Sequence, residues 1–135
     1  MLVRLHRHQE NILAIMRGAE PLLRDSALRD VAALARARWA LMRALGEYQL
    51  FKHNEIFDPA IARDLLGSAL KAERMKRACI AMGDEFRGYV TKWSGRDVAG
   101  DWVAYEPAAL QIIARLRAHI ARERTEVAEL LDMAA

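Results

Sequence analysis

Cysteine is nearly missing from this sequence: Cys79 is the only one in 135 residues. A lone cysteine excludes an internal disulfide and any zinc site built on several thiolates. It also suits a reducing compartment, so the cytoplasm is the expected location. Long apolar runs are missing too. No stretch approaches the length of uncharged apolar chain that spans a bilayer, so no transmembrane helix and no membrane partner are expected. Arg4 and Arg7 break the first apolar segment and no small-residue cleavage site follows, so no signal peptide is expected either. Glycine-rich phosphate loops, a Ser-His-Asp order and a nucleotide-binding fingerprint are all absent. Nothing in the chain calls for an enzyme.

An excess of one charge is also lacking. Twenty-one basic residues face 18 acidic ones, for a net charge of +3. Basic and acidic residues alternate within a helical turn, as in Asp25/Arg29, Arg63/Asp64, Glu73/Lys76 and Arg122/Glu126. Such pairs mark solvated helix faces. Nucleic-acid binding would leave a clustered basic stripe, so no nucleic-acid partner is expected.

Proline (three) and glycine (seven) are scarce, and strands of alternating β-branched residues are absent. Between the few turn signals run segments rich in Ala, Leu, Arg, Glu and Met, all good helix formers. With no linker and no repeat, residues 1–135 read as a single all-α domain. The turn signals divide it into four long helices. The first spans about 2–19, ending at Gly18-Ala19-Glu20-Pro21, and the second runs from about Ser26 to His53 or Phe57. Asp58-Pro59 opens a short helical insert reaching Leu66. The third helix runs from about 68 to 93, and the fourth from about 101 to 133, with Pro107 kinking its first turns or marking its regular start. Short connections favour antiparallel neighbours, hence an up-down-up-down four-helix bundle.

Residues stepping by three and four define the inward seams. They are Leu2, Leu5, Gln9, Ile12 and Met16 on the first helix, and Met42, Leu45, Gln49, His53 and Ile56 on the second. The third helix offers Met75, Ala78 or Cys79, Met82, Phe86, Tyr89 and Trp93; the fourth, Ile113, Leu116, Ile120, Glu123, Val127 and Leu130, with His119 one turn before Glu123. Gln9, Gln49, His53, His119 and Glu123 interrupt these seams and are expected to meet in one interior polar layer, because a buried polar group left unpaired costs about 1–3 kcal/mol. His119 and Glu123, four apart on one helix face, could also bind a single ion. His6 and His8 are read as surface residues, Cys79 as a small buried hydrophobe, Met42, Met75 and Met82 as core, and Trp93 and Trp102 as closing one end of the bundle.

Four stretches together resemble a hemerythrin-like (HHE cation-binding) domain over nearly the whole chain. Leu116-Arg-Ala-His119-Ile-Ala-Arg-Glu123 through Leu131 is similar to the last helix of that family, and Gln9-Glu-Asn-Ile-Leu-Ala-Ile-Met16 to its first. Tyr48-Gln49-Leu-Phe-Lys-His53-Asn-Glu55-Ile-Phe57-Asp-Pro59 is similar to the second, and Gly88-Tyr-Val-Thr-Lys-Trp93 with Asp101-Trp102 to the junction of the third and fourth in some bacterial members. The resemblance implies a four-helix bundle built around two irons. It places Gln9 and Gln49 where the family has histidines and His53 where it has a carboxylate, while the third helix has no histidine. The two-iron centre is therefore expected to be eroded. What remains for metal is His53, His119 and Glu123, a two-histidine, one-carboxylate set suited to one non-haem iron.

Three functions follow as expectations. The first is a non-catalytic binding or regulatory module without cofactor, acting on a small ligand or protein partner. The second is an iron-binding protein sensing oxygen or redox state through the reduced site. The third is a homodimerising interaction module using an exposed seam of Phe51, Phe57 and Ile61.

Overall fold

The computed structural model describes residues 1–64 and 67–133. All regular structure in these residues is helical: α1 (Leu2–Arg24), α2 (Val31–Lys52), α3 (Asp58–Arg63), α4 (Ser68–Ser94) and α5 (Trp102–Met133). A 3-10 turn, Ser26–Leu28, precedes α2, and a π-helical turn, His53–Phe57, joins α2 to α3. The four long helices form a bundle in which α1 packs on α2 and α5, and α4 packs on the same two. The short α3 lies against α4.

Helix α1 runs past the expected stop at Gly18-Pro21 to Arg24. Ala19 and Leu23 continue its buried stripe of Leu5, Gln9, Ile12 and Met16, so burial holds the extra turn in place. Pro21 costs a backbone hydrogen bond to the Arg17 carbonyl, but both residues face solvent, where water serves that carbonyl. The real stop is Asp25, in an extended conformation, whose carboxylate accepts from Ala27 N at 3.0 Å. Asp30 then caps α2 by accepting from Ala33 N at 3.0 Å. Helix α2 accordingly begins at Val31, five residues later than the expected Ser26. Pro107 sits inside α5 near its start, and the helix begins before it, at Trp102. The expected helical insert is observed as Asp58–Arg63; its expected end, Leu66, lies outside the described residues.

The seams expected on α1, α4 and α5 are buried, with two departures: Leu2 is exposed, and on α4 Val90 rather than Tyr89 is fully buried. Trp93 and Trp102 pack around Tyr105, at ring separations of 5.0 and 5.8 Å, and close one end of the bundle. Cys79, Met75 and Met82 are core, Met42 is half-buried, His6 is exposed and His8 half-buried.

Helix α2 is rotated from the expected register. Its buried stripe is Leu34, Arg38, Leu41, Ala44, Tyr48, Phe51 and Lys52, one position before the expected Met42, Leu45, Gln49 and His53. The π turn adds a residue, and the stripe resumes at Ile56 and Phe57. Phe51 and Phe57 are therefore core residues and Ile61 is half-buried against the core, so these three form no exposed dimerisation seam. The charge pairs also differ. Lys76 meets Asp58 at 2.7 Å instead of Glu73, and Arg117–Glu20, Arg124–Glu10 and Lys71–Glu129 tie α5 to α1 and α4.

Continuity of α1 makes Pro21 an interior helix residue with no structural duty. Pro21→Ala should raise stability in urea denaturation, by up to about 3 kcal/mol. A loss of stability would mean that the proline ends the helix.

Candidate functional site: a polar layer closed by a lysine

Glu123 on α5 points into the interior of the bundle, 3% exposed. A carboxylate there loses its hydration and needs positive charge and hydrogen-bond donors in return. Lys52, at the end of α2 and 1% exposed, supplies both, with Nζ 2.8 Å from Oε1 and 2.7 Å from Oε2. Tyr48, one turn earlier on α2, donates its hydroxyl to Oε1 at 2.7 Å. His119 Nε2, one turn earlier on α5, is 3.2 Å from the same oxygen. Three of these four contacts crowd Oε1 and one reaches Oε2, so both oxygens of the carboxylate are engaged.

The network continues into α1. Gln9 Nε2 donates to Tyr48 Oη at 3.0 Å, and Arg124 Nε donates to Gln9 Oε1 at 2.8 Å, so the fully buried amide is satisfied at both ends. The face of the Tyr48 ring also receives the ammonium, with Lys52 Nζ 3.9 Å from its centroid. A cavity of about 20 Å³, room for roughly one water, lies beside the layer against Lys52, His119, Cys79 and Gln49.

The titrating groups respond to these neighbours. Burial pushes the Glu123 pKa upward, but the His119 and Lys52 contacts outweigh it and bring it down from 4.5 to about 2. Burial also disfavours a charged His119, yet its bonds to Cys79 and Glu123 and the Glu123 charge hold its pKa above the ordinary 6.5. Burial raises the Tyr48 pKa, and the Glu123 charge raises it further, so the phenol keeps its proton.

Of the expected layer, the structure brings together Gln9, His119 and Glu123. Gln49 and His53 stand outside it. Gln49 reaches across to α4 and donates to the Cys79 carbonyl at 2.9 Å, lying over Gly83, where a Cβ would come within 2.3 Å of its amide. His53 packs beside Phe57 with ring centroids 5.6 Å apart, and its buried Nε2 has no partner among the described residues. Burial and the nearby charges of Lys76 and Lys52 lower its pKa. Tyr48 and Lys52 fill the places that Gln49 and His53 were expected to take. The signal for them was the apolar run on their side of the helix, Leu34, Leu41, Ala44 and Phe51.

Among the described residues no three His, Cys, Asp or Glu side chains come together as a group that could hold a metal ion. His53, His119 and Glu123 therefore do not form the expected ligand set. With Lys52 on both Glu123 oxygens, the residues as arranged do not fit an iron. No protein-family model, curated protein or solved structure matches this chain.

Breaking a buried ion pair from one side strands the other charge, at about 3–5 kcal/mol. Lys52→Met should lose that much stability in urea denaturation, and Lys52→Met with Glu123→Leu should recover most of it. A single variant as stable as wild type would show that the pair does not form.

A second outcome concerns pH. His119 holds its proton above 6.5, so its contribution is complete below 6.5 and is lost as the pH rises through the raised folded value. The stability gap between wild type and His119→Gln should be widest below pH 6.5 and shrink on the alkaline side. A gap that grows with pH would contradict the assigned contact. Glu123 acts in the opposite sense: its contribution is present above 4.5 and is lost as the pH falls toward about 2.

Proposed function

We propose that this chain is an up-down-up-down bundle of hemerythrin-like type in which a lysine ammonium takes the place of the metal, leaving a non-catalytic binding or regulatory module. The observation that carries this reading is the contact of Lys52 Nζ with both oxygens of Glu123, at 2.8 and 2.7 Å. A cation on a tether satisfies the carboxylate continuously, so the bundle is complete without a cofactor. The antiparallel order draws support from the layer itself. It joins the first half of α1, the end of α2 and the second half of α5 at one level, through Gln9, Lys52 and Glu123.

A second reading, an iron-binding sensor of oxygen or redox state on His53, His119 and Glu123, draws on one observation: the buried Nε2 of His53 has no partner among the described residues. It requires Lys52 to leave Glu123.

Metal quantification and melting separate the two. Protein purified without chelator or added metal should carry no stoichiometric iron or zinc, and chelator should leave its melting temperature unchanged. Lys52→Ala, which leaves Glu123 without its cation, should bind zinc or ferrous iron more tightly than wild type in calorimetric titration. Stoichiometric metal in the wild type, with a fall of many degrees in Tm on its removal, would overturn the lysine reading and favour the sensor.

A further inference from the structure

Helix α2 buries a second cation, Arg38, four turns before Lys52 and 6% exposed. Lys52 has a carboxylate. Arg38 is in no ion pair among the described residues, and its buried Nε–H has no hydrogen-bond partner. Its one direct hydrogen bond is from Nη1 to the hydroxyl of Tyr105 on α5, at 3.0 Å. The Tyr105 hydroxyl is 2.9 Å from that of Tyr89 on α4.

Counting protons shows what this cluster lacks. Tyr105 Oη accepts from Arg38, and one phenol donates to the other. Whichever of the two donates, one phenol proton is left over. Burial and the neighbouring Tyr105 raise the Tyr89 pKa by more than Arg38 lowers it, so the phenol is not an internal anion. The cluster therefore holds a buried positive charge with an unpaired donor, Arg38 Nε–H, and a spare proton on one of two phenols, and no carboxylate among its own side chains. A desolvated guanidinium is costly to keep inside unless negative charge reaches it.

Arg38, Tyr89 and Tyr105 line a cavity of about 20 Å³ whose other walls include Leu34, Leu41 and Ile112. This space holds roughly one water-sized body and is too small for a carboxylate or phosphate. We propose that it is a binding site for a single chloride ion, held by Arg38 Nε–H and a phenol hydroxyl. The unpaired charge favours an anion over water, and the size limits that anion to a monatomic one. The site lies near the starts of α2 and α5, away from the Glu123 layer, and stands whether or not the lysine reading of that layer is right.

Bromide in place of chloride tests it. A wild-type crystal grown or soaked in sodium bromide should show a bromine anomalous peak beside Arg38 Nε. In parallel, melting is followed as chloride replaces gluconate at constant ionic strength. Above the dissociation constant, Tm should rise by about 4–7 °C for each tenfold increase in chloride, and Arg38→Met should lose this dependence whatever its own Tm. A water in the cavity that bromide does not displace would overturn the proposal. So would equal melting in chloride and gluconate, or a chloride dependence retained by Arg38→Met. If Arg38→Met does not fold, the wild-type bromide peak decides.

Discussion

A carboxylate buried among four helices must be given a cation before the helices can close over it, and here the chain provides its own. The four contacts to Glu123 come from Lys52 and Tyr48 of α2 and His119 of α5, and Gln9 of α1 holds Tyr48 in turn. Each partner is satisfied only if three helices meet at one level. The layer thus sets the relative height of α1, α2 and α5 in a way that apolar side chains alone, tolerant of small slips, do not. The π turn at His53–Phe57 follows directly after Lys52. It takes up one extra residue, letting α2 keep Lys52 inward and still bury Ile56 and Phe57 beyond it.

The same helix carries its other buried cation about 21 Å away along its axis, and the two are handled differently. Lys52 meets a carboxylate, whereas Arg38 meets the phenol of Tyr105, itself paired with that of Tyr89. Between the two polar clusters lies an apolar stretch to which α2 contributes Leu41 and Ala44 and α5 contributes Ile112, Ile113 and Leu116. The bundle thus has a polar cluster toward each end and an apolar middle. Substitutions in that middle act through packing, while those at either end also change charge balance.

Much of this was legible in the residues. The α5 seam was read correctly through Ile113, Leu116, Ile120, Glu123, Val127 and Leu130, because each inward position carries an apolar residue or a polar one with an evident partner four away. Gln9 was legible for the same reason. Helix α2 was not. Met42, Leu45, Gln49 and His53 form a three-four pattern as regular as the true one. The true stripe contains Arg38 and Lys52, residue types that sit almost always at the surface unless paired. Hydrophobic residues on the other sides of α2, such as the exposed Trp39 and Leu50, blur the pattern further. Only the partners across the bundle, Glu123 for Lys52 and Tyr105 for Arg38, help the basic residues sit inside, and those lie 71 and 67 residues away in sequence. The continuation of α1 through Pro21 was hidden for a related reason: proline is a helix breaker locally, and the burial of Leu23 that overrides it is a tertiary fact.

The central claim is that the Lys52 ammonium rests on the Glu123 carboxylate inside the folded bundle. Carbon-13 titration of the Glu123 side-chain carboxyl tests it most directly, because that resonance reports the protonation of this one group. The account predicts a midpoint well below the ordinary 4.5, near 2, in the wild type, moving upward in Lys52→Met. A midpoint at or above 4.5 in the wild type, or one that Lys52→Met leaves in place, would contradict it.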